Sequence, residues 1–306
     1  MESNATPCFS ILIPTWNNLG ILKVCLDSLR KNSHYPHQII VHVNAGTDGT
    51  LEYVKREGLD YTHTPENAGI CVAMNQAAKL AWAGYLCFLN DDMYVCPEWD
   101  LPLVEEIKKR PSGLFYLSST LIEPLVTRNR CVISPHDFGR TPETFREAEL
   151  LSRAGGFIKE DWSGASWPPS VVSRKLWDAV GGYSEEFSPG MYSDPDFSMK
   201  LWNAGVRDFV GVGKSRVYHF MSMSVSRLGT TRNNGRARFL AKWGMASSTF
   251  YRHYLRLGRP YQGPLASPAF TPAYVLARLR DILKRIPLSV KTAFNYLSSC
   301  HENNRG

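Results

Sequence analysis

No stretch of the sequence approaches the roughly 18 to 20 consecutive apolar residues that a membrane-crossing helix needs. The N-terminus, with Glu2 and no basic run, lacks the pattern of a secretion signal, so the expected location is cytoplasmic. No CxxC pair occurs among Cys8, Cys25, Cys71, Cys87, Cys96, Cys131 and Cys300, which argues against a zinc site and against a disulfide framework. Several of these cysteines lie in apolar segments, where a reduced thiol acts as a small hydrophobe. Asn4-Ala5-Thr6 matches a glycosylation sequon, but without a secretion signal it meets no glycosylating enzyme.

Acidic residues are also missing from one long stretch. Between Asp208 and Asp281 there are none, while Lys and Arg occur 12 times. Residues 281–306 add a net +2, so residues 1–208 carry −7 of a chain whose total is +7. The basicity is local, and suits phosphate groups, an anionic membrane surface or nucleic acid. What remains is ordinary: 43% hydrophobic and 21% charged residues exclude wholesale disorder, and 306 residues can bury one large core with appendages.

The order of elements is legible in the first 90 residues. Phe9 to Pro14 reads as a buried strand ended by Pro14, and residues 19–30 place Leu22, Leu26 and Leu29 on one helical face. Gln38 to Val43 reads as a second strand, Gly46 to Gly49 as a turn, and residues 50–57 as a helix. Ala68 to Ala83 reads as a longer helix closed by Gly84, followed by a strand from Tyr85 to Leu89. Alternating strands and helices predict an α/β protein with a doubly wound, mainly parallel sheet and helices on both faces. Ligands of such sheets bind beyond the carboxyl ends of the strands. Residues 110–160 carry no clear pattern. Ser170 to Val180 and Asp196 to Ala204 read as helices, separated by the break at Gly181-Gly182. Four prolines mark a linker near residues 260–272, and Tyr274 to Ile286 interleaves apolar with basic residues as an amphipathic helix does.

The apolar run Tyr85 to Leu89 stops at Asn90-Asp91-Asp92. Two carboxylates at a strand end are costly unless a cation or polar ligand meets them, although the same residues also suit a plain turn.

These segments resemble family 2 glycosyltransferases. The stretches concerned are Ser10 to Asn17, Thr47 to Thr50, Glu66-Asn67-Ala68-Gly69 with Asn75, and Phe88 to Asp92. Downstream they are Trp162 to Ala165, Val180 to Tyr183, Asp194-Pro195-Asp196 and Val217-Tyr218-His219. The resemblance implies the GT-A fold and a nucleotide-diphosphate sugar donor carrying UDP, dTDP or GDP. It implies nucleotide-sugar contacts from Pro14, Thr15, Trp16, Asn17, Asn44, Asn67, Gly69, Asn75 and Asp91. Asp92, with His219, would bind Mg2+ or Mn2+ at the diphosphate; Asp194 would be the catalytic base, acting with inversion. Trp162, Gly164 and Asp196 would lie toward the acceptor, a glycan or lipid-linked molecule of cell-surface polysaccharide synthesis. Two departures stand out: Val43 replaces an acid that usually precedes Asn44, and Ser193 replaces the Glu that usually precedes the base.

The implied organisation is a catalytic domain over 1–225, divided into a nucleotide-sugar half (1–100) and an acceptor half (101–225). A basic helical extension (226–259), a Pro-rich linker (260–273) and an amphipathic basic helix (274–299) follow. Taken alone, Asp194 also suits a helix cap, His219 a packed polar residue, and Trp162 and Trp167 either core aromatics or platforms for sugar rings. Lys214, Arg216, Arg227 or Arg232 could add positive charge at the diphosphate. A nucleotidyltransferase would share the sheet but needs a Gly-rich basic loop after the first strand, which Pro14 to Asn18 is not. Nucleic-acid binding is opposed by the acidic N-terminal domain, whereas the C-terminal helix either docks on the catalytic domain or meets the inner face of the membrane.

Overall fold

The computed structural model describes residues 8–221 and 234–286. Arg227, Arg232, Cys300 and the end of the expected 274–299 helix lie outside these residues.

Strands β1 (Ser10–Trp16), β2 (Gln38–Asn44), β3 (Asp60–Thr64) and β4 (Tyr85–Phe88) pair in parallel, in the spatial order β3-β2-β1-β4. The connections are helical: α1 (Leu19–Asn32), α2 (Thr50–Arg56) and α3 (Ile70–Ala78). Beyond β4 the sheet continues through β8 (Ser170–Ser173), β6 (Phe115–Ile122), β9 (Asp208–His219) and β5 (Met93–Val95), with β7 (Trp162–Ser163) alongside β9. Strand β8 runs antiparallel to both β4 and β6, and β6 runs parallel to β9. Helices α4 (Leu101–Lys108), α5 (Glu147–Ala154), α6 (Arg174–Val180) and α7 (Ser193–Asn203) complete this half.

Alternation along β1 puts Ile11 and Ile13 in one hydrophobic core and Leu12 in another, so both faces of the sheet are covered. Pro14 does not end the strand as expected. Pairing of β1 with β4 ends at Leu12, so the N–H that Pro14 lacks costs no bond on that side, and β1 runs on to Trp16.

Three elements depart from their expected form. The first part of Ser170–Val180 is strand, because Val171 and Val172 are β-branched and Cys87 and Leu117 pair across Val171; the helix starts at Arg174, where the Ser173 side chain accepts from the Leu176 N–H. Strand β6 escaped the apolar pattern because Ser118, Ser119 and Thr120 interrupt it. Their buried hydroxyls are bonded to the Trp167 carbonyl, the Ser215 hydroxyl and the Val212 carbonyl. Edge strand β3 is largely polar and exposed, which hides it from hydrophobic periodicity.

Candidate active site

The order of the strands reverses between β1 and β4, so the crevice beyond their carboxyl ends is the topological switch point of the sheet. A cleft of about 680 Å3 opens there. Pro14, Thr15 and Trp16 enter it from β1, Asn44 from β2, Asn67 and Gly69 from the loop before α3, and Asp91 and Asp92 from the end of β4. Asp194 and His219 line it from the other half of the molecule.

Asp91 is tied to β1: the Thr15 hydroxyl donates to its Oδ2 at 2.6 Å and the Asn18 amide does so at 3.2 Å. Burial, with the charge of Asp92 beside it, pushes its carboxyl up to about 7 against the pull of these two donors. Asp92 is held beside His219 by backbone pairing. Met93 of β5 stands opposite His219 of β9, and the Phe220 N–H donates to the Asp92 carbonyl. The imidazole lies between two acids, with Nε2 3.4 Å from Asp92 Oδ2 and Nδ1 3.2 Å from Glu123 Oε1. Burial opposes its positive charge, but the two carboxylates outweigh that and raise it to about 9. Glu123 follows directly after β6 and was not foreseen, since nothing in residues 110–160 marks it as a site residue.

The opposite wall is brought in by a close backbone approach. Gly69 has φ +82°, and a Cβ there would fall 2.5 Å from Pro189 Cα; the Ile70 N–H donates to the Pro189 carbonyl at 3.0 Å. Helix α7 follows. Asp194 lies inside its first turn, with Tyr192 at the cap position, so it does not serve as the cap. Burial pushes its carboxyl up to about 7, and the Tyr183 hydroxyl, 3.5 Å from Oδ1, pulls the other way.

Several expected contacts fall elsewhere. Asn17 does not line the cleft; its side chain exchanges two hydrogen bonds with Thr47, steadying the loop after β1. Asn44 does line the cleft, but it is buried and its Oδ1 accepts from Thr64 and the Ala68 N–H, so it also anchors the loop that carries Asn67. Asn75 is used up in holding Tyr183 and Glu185. Trp162 is buried, donates to Thr120, and lies on Gly211, where any Cβ would overlap its ring. Of this pair it is the stacked neighbour Trp167 that faces the cleft. A Cβ on Gly164 would meet Leu257 at 2.9 Å, a packing constraint. Asp196 is fully buried and accepts from Trp243 Nε1 at 2.8 Å, with Lys242 at 2.9 Å. It therefore fastens the helix Gly235–Trp243 to α7 instead of facing an acceptor.

Among the described residues no group of three or more His, Cys, Asp or Glu is arranged to hold a metal ion. The donor set still fits a Mg2+-type site, in which one or two carboxylates share the ion with phosphate oxygens and water. Asp92 supplies such a carboxylate. His219 stands beside it, with Nε2 3.4 Å from Asp92 Oδ2 and Nδ1 3.2 Å from Glu123 Oε1.

A doubly wound sheet with carboxylates at its switch point and a further acid on the facing wall is the architecture of an α/β protein of the GT-A type. Residues 10–153 match the model of Glycosyl transferase family 2. It is 25% identical over 298 residues to the O-antigen biosynthesis protein RfbC of Myxococcus xanthus, covering 92% of this chain and 21% of that protein. It is 22% identical over 240 residues to the hyaluronan synthase of Pasteurella multocida, covering 76% of this chain and 22% of that one. The chain thus spans only about a fifth of the length of these relatives. Among solved structures, S. aureus TarS 1-349 in complex with UDP superposes with a TM-score of 0.52 at 17% identity, over 79% of this chain and 74% of that one. That likeness concerns the fold.

Proposed function

We propose that the protein is an inverting glycosyltransferase that moves a sugar from a nucleotide-diphosphate donor to a hydroxyl of a glycan or lipid-linked acceptor in cell-surface polysaccharide synthesis. The observation that carries this reading is the placing of Asp91-Asp92 and Asp194 on facing walls of one cleft. The names of the relatives support the polysaccharide setting, and the UDP bound by TarS supports the donor class.

On this reading the nucleotide lies over Thr15, Trp16 and the loop of Asn67, with Asp91 at its ribose. Asp92 would hold Mg2+ or Mn2+, which supplies positive charge to the departing diphosphate. Asp194 takes the proton of the acceptor hydroxyl as its oxygen bonds to the anomeric carbon and the bond to the diphosphate breaks. A base with a value close to the working pH suits this step, and general-base assistance contributes about 10² to 10⁴-fold. Attack from the wall facing the diphosphate inverts the anomeric centre. His219, beside Asp92, would help hold the cation or the diphosphate.

The test is a binding and hydrolysis screen of the purified protein against UDP-, dTDP- and GDP-sugars, with and without Mn2+, repeated with Asp194→Asn. Turnover lost in the variant with donor binding retained is the expected result. Absence of binding to every donor would remove the transferase reading, and loss of binding in the variant would remove Asp194 as the base.

A further inference from the structure

The helix over residues 272–286 turns a narrow face to the protein. Tyr274 and Asp281 are buried; the Tyr274 hydroxyl is 2.9 Å from that of Tyr254, and Arg278 donates to the Gly244 carbonyl at 3.0 Å. The two expectations for this segment, docking on the catalytic domain or binding a surface, are therefore not exclusive. The helix docks, and most of it remains outside.

What remains outside is apolar. Val275, Leu276, Leu279, Ile282, Leu283 and Ile286 are 42 to 66% exposed. At about 100° per residue they fall in one stripe about 120° wide, turned away from Tyr274 and Asp281. Phe270, just before the helix, is 89% exposed. A contiguous apolar stripe on a described surface is not a resting state in water, and it marks something to be covered. Exposed Arg280 and Lys284 border the stripe, and the 72 residues between Asp208 and Asp281 contain no acid to offset the cations around it. No helix among the described residues is long and apolar enough to cross a membrane.

We infer that this face lies in the headgroup region of an anionic lipid bilayer, with Leu276, Leu279, Leu283 and Ile286 entering the acyl boundary and Arg280 and Lys284 at the phosphates. Interleaved apolar and basic residues on an interfacial helix match that partner. A second copy of the chain matches less well, since its own basic face would oppose this one. The inference extends the transferase reading to the place where a lipid-linked acceptor is met, but its test does not depend on turnover.

The full chain is mixed with sedimentable vesicles of neutral lipid alone and of neutral lipid with about 30% anionic lipid, at low and high salt. The expected result is binding to the anionic vesicles that weakens with salt, and that falls at least about tenfold in L279E/L283E. UDP binding by the same variant, unchanged, shows that the catalytic domain is intact and keeps the two readings separable. Failure to bind either vesicle overturns the inference, as does equal binding by L279E/L283E. Concentration-dependent dimerisation without lipid that the variant abolishes also overturns it, by assigning the face to a second copy.

Discussion

The hydroxyl of Tyr183 stands 3.5 Å from Oδ1 of Asp194, and the backbone of Tyr183 is gripped on both sides by Asn75, whose amide donates to its carbonyl and whose Oδ1 accepts from its N–H, each at 2.9 Å. Asn75 sits on α3, in the nucleotide half, and Asp194 on α7, in the other. Tyr183 thus joins the two halves of the cleft, in addition to the contact of Gly69 and Ile70 with Pro189. Asp194, the proposed base, is steadied from the wall proposed to meet the donor.

The value of about 7 at Asp194 predicts the pH profile. A general base works when deprotonated, so transfer at saturating donor should rise about tenfold per pH unit below 7 and level off above it. The linkage has the opposite sense. A carboxyl raised in the folded state favours folding fully below its unfolded value near 3.9, and that contribution is lost as pH rises through 7. Asp194→Asn should therefore be inactive yet more stable than the parent at pH 8, by about 1 to 4 kcal/mol, with no gain at pH 4. Chemical denaturation at the two pH values measures this, and an equal gain at both would show that the buried charge is not the cause.

Tyr183→Phe removes the one hydroxyl that lowers the Asp194 value while leaving the ring stacked on Phe197, whose centroid is 4.7 Å away. The acid limb of the rate profile should move to higher pH, with little change in melting temperature. Activity at pH 6 should fall by about three- to tenfold while the plateau is kept, since one hydrogen bond to a charged group is worth about 1 kcal/mol or slightly more. A uniform loss at every pH would instead mean that the hydroxyl touches substrate.

Thr15→Val tests the donor side. Valine keeps the volume at a buried position but removes the 2.6 Å hydrogen bond to Asp91, leaving only the 3.2 Å bond from Asn18 to hold the carboxylate. UDP affinity should drop by about five- to thirtyfold, equivalent to about 1 to 2 kcal/mol, with the fold intact. Calorimetric titration reads this directly. Unchanged affinity would place the nucleotide away from Asp91.

How far the sequence discloses this site depends on where each residue gets its role. Asp91 and Asp92 stand out because an apolar run stops at them, whereas Asp194 read alone suits a helix cap and is named only through the family resemblance. Glu123 was hidden because β6 has three serines and threonines at its centre, bonded to groups far along the chain. Trp162 and Trp167 are five residues apart and equally plausible in one dimension. The choice between them is made by Gly211 of β9, which leaves room for the ring of Trp162 inside the sheet and so turns Trp167 to the cleft. Asn75 and Asp196 resemble binding residues by type, but tertiary packing uses them to hold Tyr183 and the helix Gly235–Trp243. Such roles come from contacts more than 40 residues apart in sequence, which periodicity does not carry.

The approach of Gly69 to Pro189 offers a test of how the two walls are held. Gly69 and Gly58 both have positive φ, +82° and +64°, but a Cβ on Gly69 would lie 2.5 Å from Pro189 Cα, whereas one on Gly58 meets nothing within 4 Å. Gly58→Ala should cost only the backbone penalty, about 1 to 2 kcal/mol, and leave UDP binding and transfer as they were. Gly69→Ala adds a clash with backbone that has no side chain to swing aside, so the segment leading from Pro189 to Asp194 must move outward. Transfer should then fall about 10²-fold or more, the order expected when a positioned base shifts by an ångström, while UDP affinity falls far less. Thermal melts of both variants separate strain from displacement. Should Gly69→Ala retain full transfer, the wall carrying Asp194 is not positioned by this contact.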